Sequence, residues 1–298
     1  MVLHLAAQAL VRPSYEDPVG TYETNVLGTA RLLEALRAAA PEAAIVVVTS
    51  DKCYAGDGSG RAFREGDRLG GRDPYSSSKA AQELVAASFR ESYGLRIATA
   101  RAGNVIGGGD WAAGRLVPDF VRAAAGVAPL VVRNPGSVRP WQHVLNPLAS
   151  YLMLAERLLG AGDWATAWNL GPAARDERSV ADVLERLRAI WPGAPEALGS
   201  GAVDTCGPRA ALGHGAGDTS GPHEAPALRL DSARARERLS WRPVWDLDAA
   251  LAATAGWHLT HAEGADLRSV SLEQLARFEA SAAQPYSAAS SRATAAGA

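Results

Sequence analysis

Ile45-Val46-Val47-Val48 is apolar at every position and lies between long amphipathic stretches, which narrows the possible folds sharply. A strand with one wet face alternates polar and apolar residues. A strand apolar throughout has both faces covered, as in a parallel sheet flanked by helices. The preceding stretch, Pro18–Ala39, places Tyr22, Val26, Leu27, Ala30, Leu33 and Leu36 at helical spacing and so offers such a sheet a packing face. The same alternation runs along the chain. Candidate strands are Val2–Ala6, Ala44–Ser50, Arg96–Arg101, Pro129–Arg133 and Ala167–Leu170. Candidate helices are Pro18–Ala39, Tyr75–Tyr93, Leu116–Ala125, Leu145–Leu159 and Ser179–Ile190. Asp231 and Asp246 read as N-caps for two more, over Ser232–Leu239 and Leu247–His261. The order predicts a doubly wound parallel α/β sheet.

Composition excludes several function classes. With 47% hydrophobic and 21% charged residues, the 298-residue chain has ample material for a core. A net charge of −2 leaves no electrostatic footprint for nucleic acid or an anionic membrane. No apolar run approaches the roughly 18 residues of a membrane span. The opening Met1–Val11 lacks the basic start of a secretory signal. Cys53 and Cys206 offer neither metal-ligand spacing nor a disulfide framework, so no metal and a reducing cytoplasm are expected. The stretch 199–222, rich in Gly, Ala, Asp and Pro, reads as a flexible insertion, and 281–298 as a disordered tail.

Of the 30 basic side chains only Lys52 and Lys79 are lysine. Guanidinium stays protonated in proteins, whereas an ammonium loses its proton when its surroundings disfavour charge. Tyr75 and Lys79 lie four apart at the start of a predicted helix and share a face; a nearby ammonium would lower the tyrosine pKa and make Tyr75 a base for a hydroxyl proton. By itself this spacing is weak. Thr49-Ser50-Asp51-Lys52-Cys53-Tyr54 leaves the C-terminal end of a buried strand, where doubly wound sheets gather their active sites. It presents a hydroxyl, a carboxyl and an amine in sequence. A third strand end, Arg101–Trp111, is rich in glycine, which lets backbone approach a ligand closely. His4 and His143 read as structural, and Arg115 and Arg139 as candidate phosphate forks.

Taken together, His4-Leu5-Ala6-Ala7-Gln8, Asn25, Thr49–Tyr54, Tyr75–Lys79, Arg101–Trp111, Arg115–Pro118 and Arg133–Val144 resemble the extended short-chain dehydrogenase/reductases, and among them the CDP-glucose 4,6-dehydratases. The resemblance covers about residues 2–198 and 222–280. It implies a Rossmann-type sheet with a smaller interleaved substrate-binding domain. The division expected is 1–103 and 141–171 for the dinucleotide-binding part, and 104–140 and 172–280 for the substrate region. It also implies NAD as cofactor, a nucleotide sugar as substrate, and a homodimer or higher homo-oligomer.

The resemblance further implies roles. Tyr75 takes the sugar 4-OH proton as hydride leaves C4 for the nicotinamide, while Lys79 holds the nicotinamide ribose and depresses the Tyr75 pKa. Ser50 hydrogen-bonds the 4-OH. Lys52, neutral when it acts, removes the C5 proton, and Asp51 protonates the departing 6-OH. Asn104, Arg115 and Arg139 bind sugar and diphosphate; Leu5, Ala6, Ala7 and Gln8 line the cofactor site. Pro222-His223-Glu224-Ala225 is the local candidate for the nucleobase. Other dehydratases, for GDP-mannose or dTDP-glucose, and 4-epimerases share the scaffold, but an epimerase has no need of an Asp-Lys pair beside the serine.

In this family His-Leu-Ala-Ala-Gln follows a glycine-rich strand–turn–helix that cradles the cofactor pyrophosphate. The chain as given starts within the fourth strand of that pattern. The expectation is a start codon assigned too late; the rival is an inactive remnant that does not bind NAD tightly.

Overall fold

The computed structural model describes residues 1–56, 58–194 and 227–283. The insertion expected at 199–222, the Pro222–Ala225 segment, Cys206 and most of the expected tail lie outside them. Four strands form one parallel sheet in the order β1 (Val2–His4), β2 (Ile45–Val48), β3 (Ile97–Ala102) and β6 (Ala167–Leu170). Ile45, Val46 and Val47 are fully buried, as an all-apolar central strand requires.

Helices cover both faces. On one, Leu33 of α3 (Gly28–Ala39) and Ala86 of α4 (Pro74–Tyr93) pack with Ile45, Val47 and Ile97. On the other, Tyr151, Leu154 and Leu158 of α6 (Leu145–Leu159) pack with Val46, Ala98, Ala100 and Trp168. The fold is therefore a doubly wound, Rossmann-like α/β sheet.

A second sheet has the order β4 (Asn104–Ile106), β5 (Val138–His143) and β7 (Glu177–Ser179), with β4 and β5 parallel and β7 antiparallel. It shares a core with α5 (Leu116–Ala124), α7 (Val180–Ile190) and α9 (Leu247–Ala262). Between β3 and β4, Gly103 lies against Pro140; an added Cβ would meet the proline ring at 2.5 Å, so only glycine lets the chain cross so close to β5. The strip Ala227–Ser232 joins the sheets. Leu228 N–H donates to Val138 O and Asp231 N–H to Phe63 O, and Ser232 Oγ accepts from Gly171 N–H.

Some sequence-based bounds change. Pro129–Arg133 forms no strand; Val131 and Val132 line a cavity instead of pairing. Val2–Ala6 shortens to β1, and Leu5 and Ala6 are exposed. Pro18–Ala39 is helical throughout but contains a π turn at Glu23–Leu27, between α2 (Pro18–Tyr22) and α3. α8 (Ala233–Arg238) starts after Ser232, which makes no side-chain capping bond; the cap is supplied as expected by Asp231, whose Oδ1 accepts from Ala233 N–H. Asp246 caps α9 through Ala249 N–H as expected. The short α1 (Val11–Glu16) and the final α10 (Leu267–Ala282) were not anticipated, and α10 runs into the expected tail. Among the described residues no helix is long and apolar enough to cross a membrane.

Candidate active site

Where β2 ends, Ser50 caps a single 3-10 turn, Asp51–Cys53. Its hydroxyl accepts from Lys52 N–H at 3.2 Å and donates to Asp51 Oδ1 at 3.0 Å. The turn fixes three reactive groups in direction. Asp51 is buried, and its Oδ2 has no hydrogen-bond partner. Burial pushes the Asp51 carboxyl above the usual range against the pull of Lys52, Ser50 and Arg139. The shift favours the protonated form, the direction a proton donor needs.

Asp73 and Pro74 start α4: the Asp73 carboxylate accepts from Ser76 N–H at 2.9 Å, and Pro74 takes the first turn, where a missing N–H does no harm. This start places Tyr75 on the first turn, with its own N–H on Ser14 Oγ at 3.1 Å. Burial pushes the Tyr75 phenol up to about 12, against the downward pull of Ser50. The expectation that Lys79 depresses the Tyr75 pKa is therefore not met. Ser50 and Arg115 act downward on the phenol, while Lys79 donates from Nζ to Val48 O at 3.2 Å. Lys79 is itself buried and pulled down to about 8 by desolvation.

One cavity of ≈ 390 Å³ collects Ser50, Asp51, Lys52, Tyr75, Asn104, Arg115 and Arg139. Arg139 is buried and donates to Val138 O at 2.8 Å, and its charge acts on Asp51. Arg115 pairs with Asp110 at 3.0 Å. Lys79 and Leu5, Ala6, Ala7 and Gln8 stand outside that wall. Gln8 is fixed by Asn25, whose Oδ1 accepts from Gln8 N–H at 2.8 Å and whose Nδ2 donates to Gln8 O and Ser78 Oγ. His4 bonds Thr29 and His143 packs against Trp245, consistent with structural roles. Among the described residues no cluster of His, Cys, Asp and Glu could hold a metal ion.

Sequence reasoning missed Arg12, which lines the cavity, and a buried network beneath it. Glu83 accepts from Thr49 Oγ1 at 2.5 Å, Thr99 Oγ1 at 2.7 Å and Arg101 Nη2 at 2.8 Å. Arg101 Nη1 also donates to Tyr54 Oη at 2.8 Å, and Tyr54 Oη donates to Asn169 Oδ1 at 2.6 Å. The signal was present: Lys79-x-x-x-Glu83 repeats the Tyr75–Lys79 spacing on one helix face.

The family model described as GDP-mannose 4,6 dehydratase matches residues 1–160. A CDP-glucose 4,6-dehydratase of Salmonella typhimurium is 38% identical, over 93% of this chain and 76% of its own length. A dTDP-glucose 4,6-dehydratase of Xanthomonas campestris is 28% identical, over 87% of this chain and 72% of its own. Among solved structures, a UDP-glucose 4-epimerase from Brucella ovis in complex with NAD superposes with a TM-score of 0.69 at 27% identity, covering 85% of this chain and 76% of that one.

Proposed function

Because the chain belongs to the GDP-mannose 4,6-dehydratase family of extended short-chain dehydrogenase/reductases, we propose that it is an NAD-dependent nucleotide-sugar 4,6-dehydratase converting CDP-glucose to CDP-4-keto-6-deoxyglucose. The observation that carries the dehydratase chemistry is the Ser50–Asp51–Lys52 turn facing Tyr75 in one cavity. A hydroxyl beside a phenol suffices for oxidation and reduction at C4, as in an epimerase. Loss of water needs in addition an acid and a base, and Asp51 and Lys52 supply that pair.

The residues fit the nicotinamide half of NAD: Tyr75 and Lys79 are four apart on α4, and the Leu5–Gln8 segment is tied to α4 through Asn25 and Ser78. Lys79 would hold the ribose, and Leu5, Ala6, Ala7 and Gln8 would line the ring site. Bound NAD would accept hydride from C4 and return it to C6. Tyr75 takes the 4-OH proton, with Ser50 and Arg115 favouring the phenolate. The resulting ketone acidifies the neighbouring C5–H. Lys52 removes that proton and Asp51 donates its own to the leaving 6-OH. Asn104, Arg115 and Arg139 bind sugar and diphosphate, with Arg139 buried on the central strand of the second sheet.

We also propose a homodimer acting in the cytoplasm; exposed Val19 on α2, Leu27 in the π turn, and Leu84 and Tyr93 on α4 offer an apolar face for the partner copy. The test incubates the purified chain with NAD and, separately, CDP-glucose, dTDP-glucose and GDP-mannose, and reads products by NMR. A 4-keto-6-deoxy product chiefly from CDP-glucose is expected, with solvent deuterium at C5. Epimerised sugar with oxygen retained at C6 would overturn the reading.

A further inference from the structure

The helical spacing that joins Tyr75 to Lys79 continues to Glu83. We propose that Glu83 is a positioning residue of the active site, which keeps the buried Lys79 side chain a cation and pins the strand ends that carry the Ser50–Lys52 turn and Asn104. The inference rests on the dehydratase reading given above. Glu83 is 3% exposed, and its two carboxylate oxygens receive Thr49, Thr99 and Arg101. Lys79, one turn earlier on the same face, donates to Val48 O. Carboxylate and amine therefore grip consecutive residues, Val48 and Thr49, just before Ser50.

Two consequences follow from that grip. The first is electrostatic: burial draws Lys79 down to about 8, and Glu83 is the first group acting against burial. Take the carboxylate charge away and the amine sheds its proton within the neutral range. The second is geometric. Through Arg101, Glu83 reaches Tyr54 at the far end of the turn and Asn169 on β6, so both ends of Asp51–Cys53 are held from below.

Because the chain has just two lysines, lysine labelled with 13C and 15N gives two side-chain signals, assigned through Lys52→Arg. The Lys79 titration midpoint is expected to fall by about one pH unit or more in Glu83→Gln, a free-energy change of at least about 1.4 kcal/mol. At pH 7 kcat drops at least about tenfold while KM stays within about twofold, the pattern of a group whose loss is felt after binding. The alkaline limb of the pH profile moves down with the midpoint.

Glu83→Gln strands the Arg101 guanidinium, so Glu83→Gln with Arg101→Met is the second variant; removing both charges of a buried pair is far gentler than removing one. A fall in the same direction is expected, smaller by what the lost guanidinium charge gives back. An unmoved Lys79 midpoint in a folded variant overturns the inference. The lysine signals need no substrate. A wild type inactive on every nucleotide sugar would thus overturn the function alone, and the midpoint would still decide the role of Glu83 in holding the Lys79 charge.

Discussion

Asp51 shows how one side chain sets function against stability. Its folded pKa lies above the ordinary value because burial disfavours the carboxylate. The stability of the protonated form is fully present below the unfolded pKa of 3.8 and is lost as pH rises through the folded value. Asp51→Asn is therefore expected to lower turnover by on the order of 10² to 10⁴, the usual contribution of a positioned acid. It should also melt at a higher temperature than the wild type at pH 8, with the gap closing toward pH 4; thermal melts across that range check it.

His143 has the opposite sign. Burial lowers it from 6.5 to about 4, so the stability of the neutral ring is present above pH 6.5 and is lost as pH falls toward 4. Its share of that loss is about 3 kcal/mol. His143→Gln, which keeps an acceptor for Leu145 N–H, should flatten the difference between urea midpoints at pH 7 and pH 4.5.

Among elements, the π turn at Glu23–Leu27 explains how a distant helix shapes the segment after β1. The longer turn, with Gly28 N–H on Glu23 O, places Asn25 fully buried against Gln8 and Ser78. Asn25→Ala would leave the Gln8 N–H and C=O without their partner, and about 3 kcal/mol of stability is expected to go, at one to three per unsatisfied group. Urea unfolding measures it. The sequence made β2, β3 and β6 legible, because their buried faces leave apolar or small residues in a run. It hid β5, whose Arg139, Pro140, Gln142 and His143 are polar or proline yet buried at the centre of the second sheet. Conversely Val131 and Val132 look like a strand and line a cavity. The Ser50–Lys52 turn and Tyr75 could be read because their chemistry is local. Glu83 shows only its spacing from Lys79 in the sequence; its burial does not, since a helical glutamate usually faces water and its partners come from β2 and β3.

On the scale of the whole molecule, two sheets become one body through Ala227–Ser232. Leu230 is buried with Cys53, Tyr54, Phe63 and Leu228, beside the active-site turn. Leu230→Ala is expected to lower stability by about 2–5 kcal/mol, the range for an aliphatic side chain removed from a core. Trp168 lies in the core of the first sheet and Trp141 in that of the second, and single-tryptophan variants keeping one or the other should unfold with the same urea midpoint. Separate transitions would mean that the strip does not couple them.

That strip also imposes an order in time. Ribosomes release chains from the N-terminus, so Ser50, Asp51, Lys52 and Tyr75 emerge long before their floor is complete. Asn169, which receives the Tyr54 hydroxyl, also donates to Phe63 O and Asp231 O, and the last of these arrives far along the chain. A nascent or clipped chain ending before Asp231 would carry the reactive side chains with the turn beneath them unsealed. The completed enzyme is thereby distinguished from its own unfinished copies.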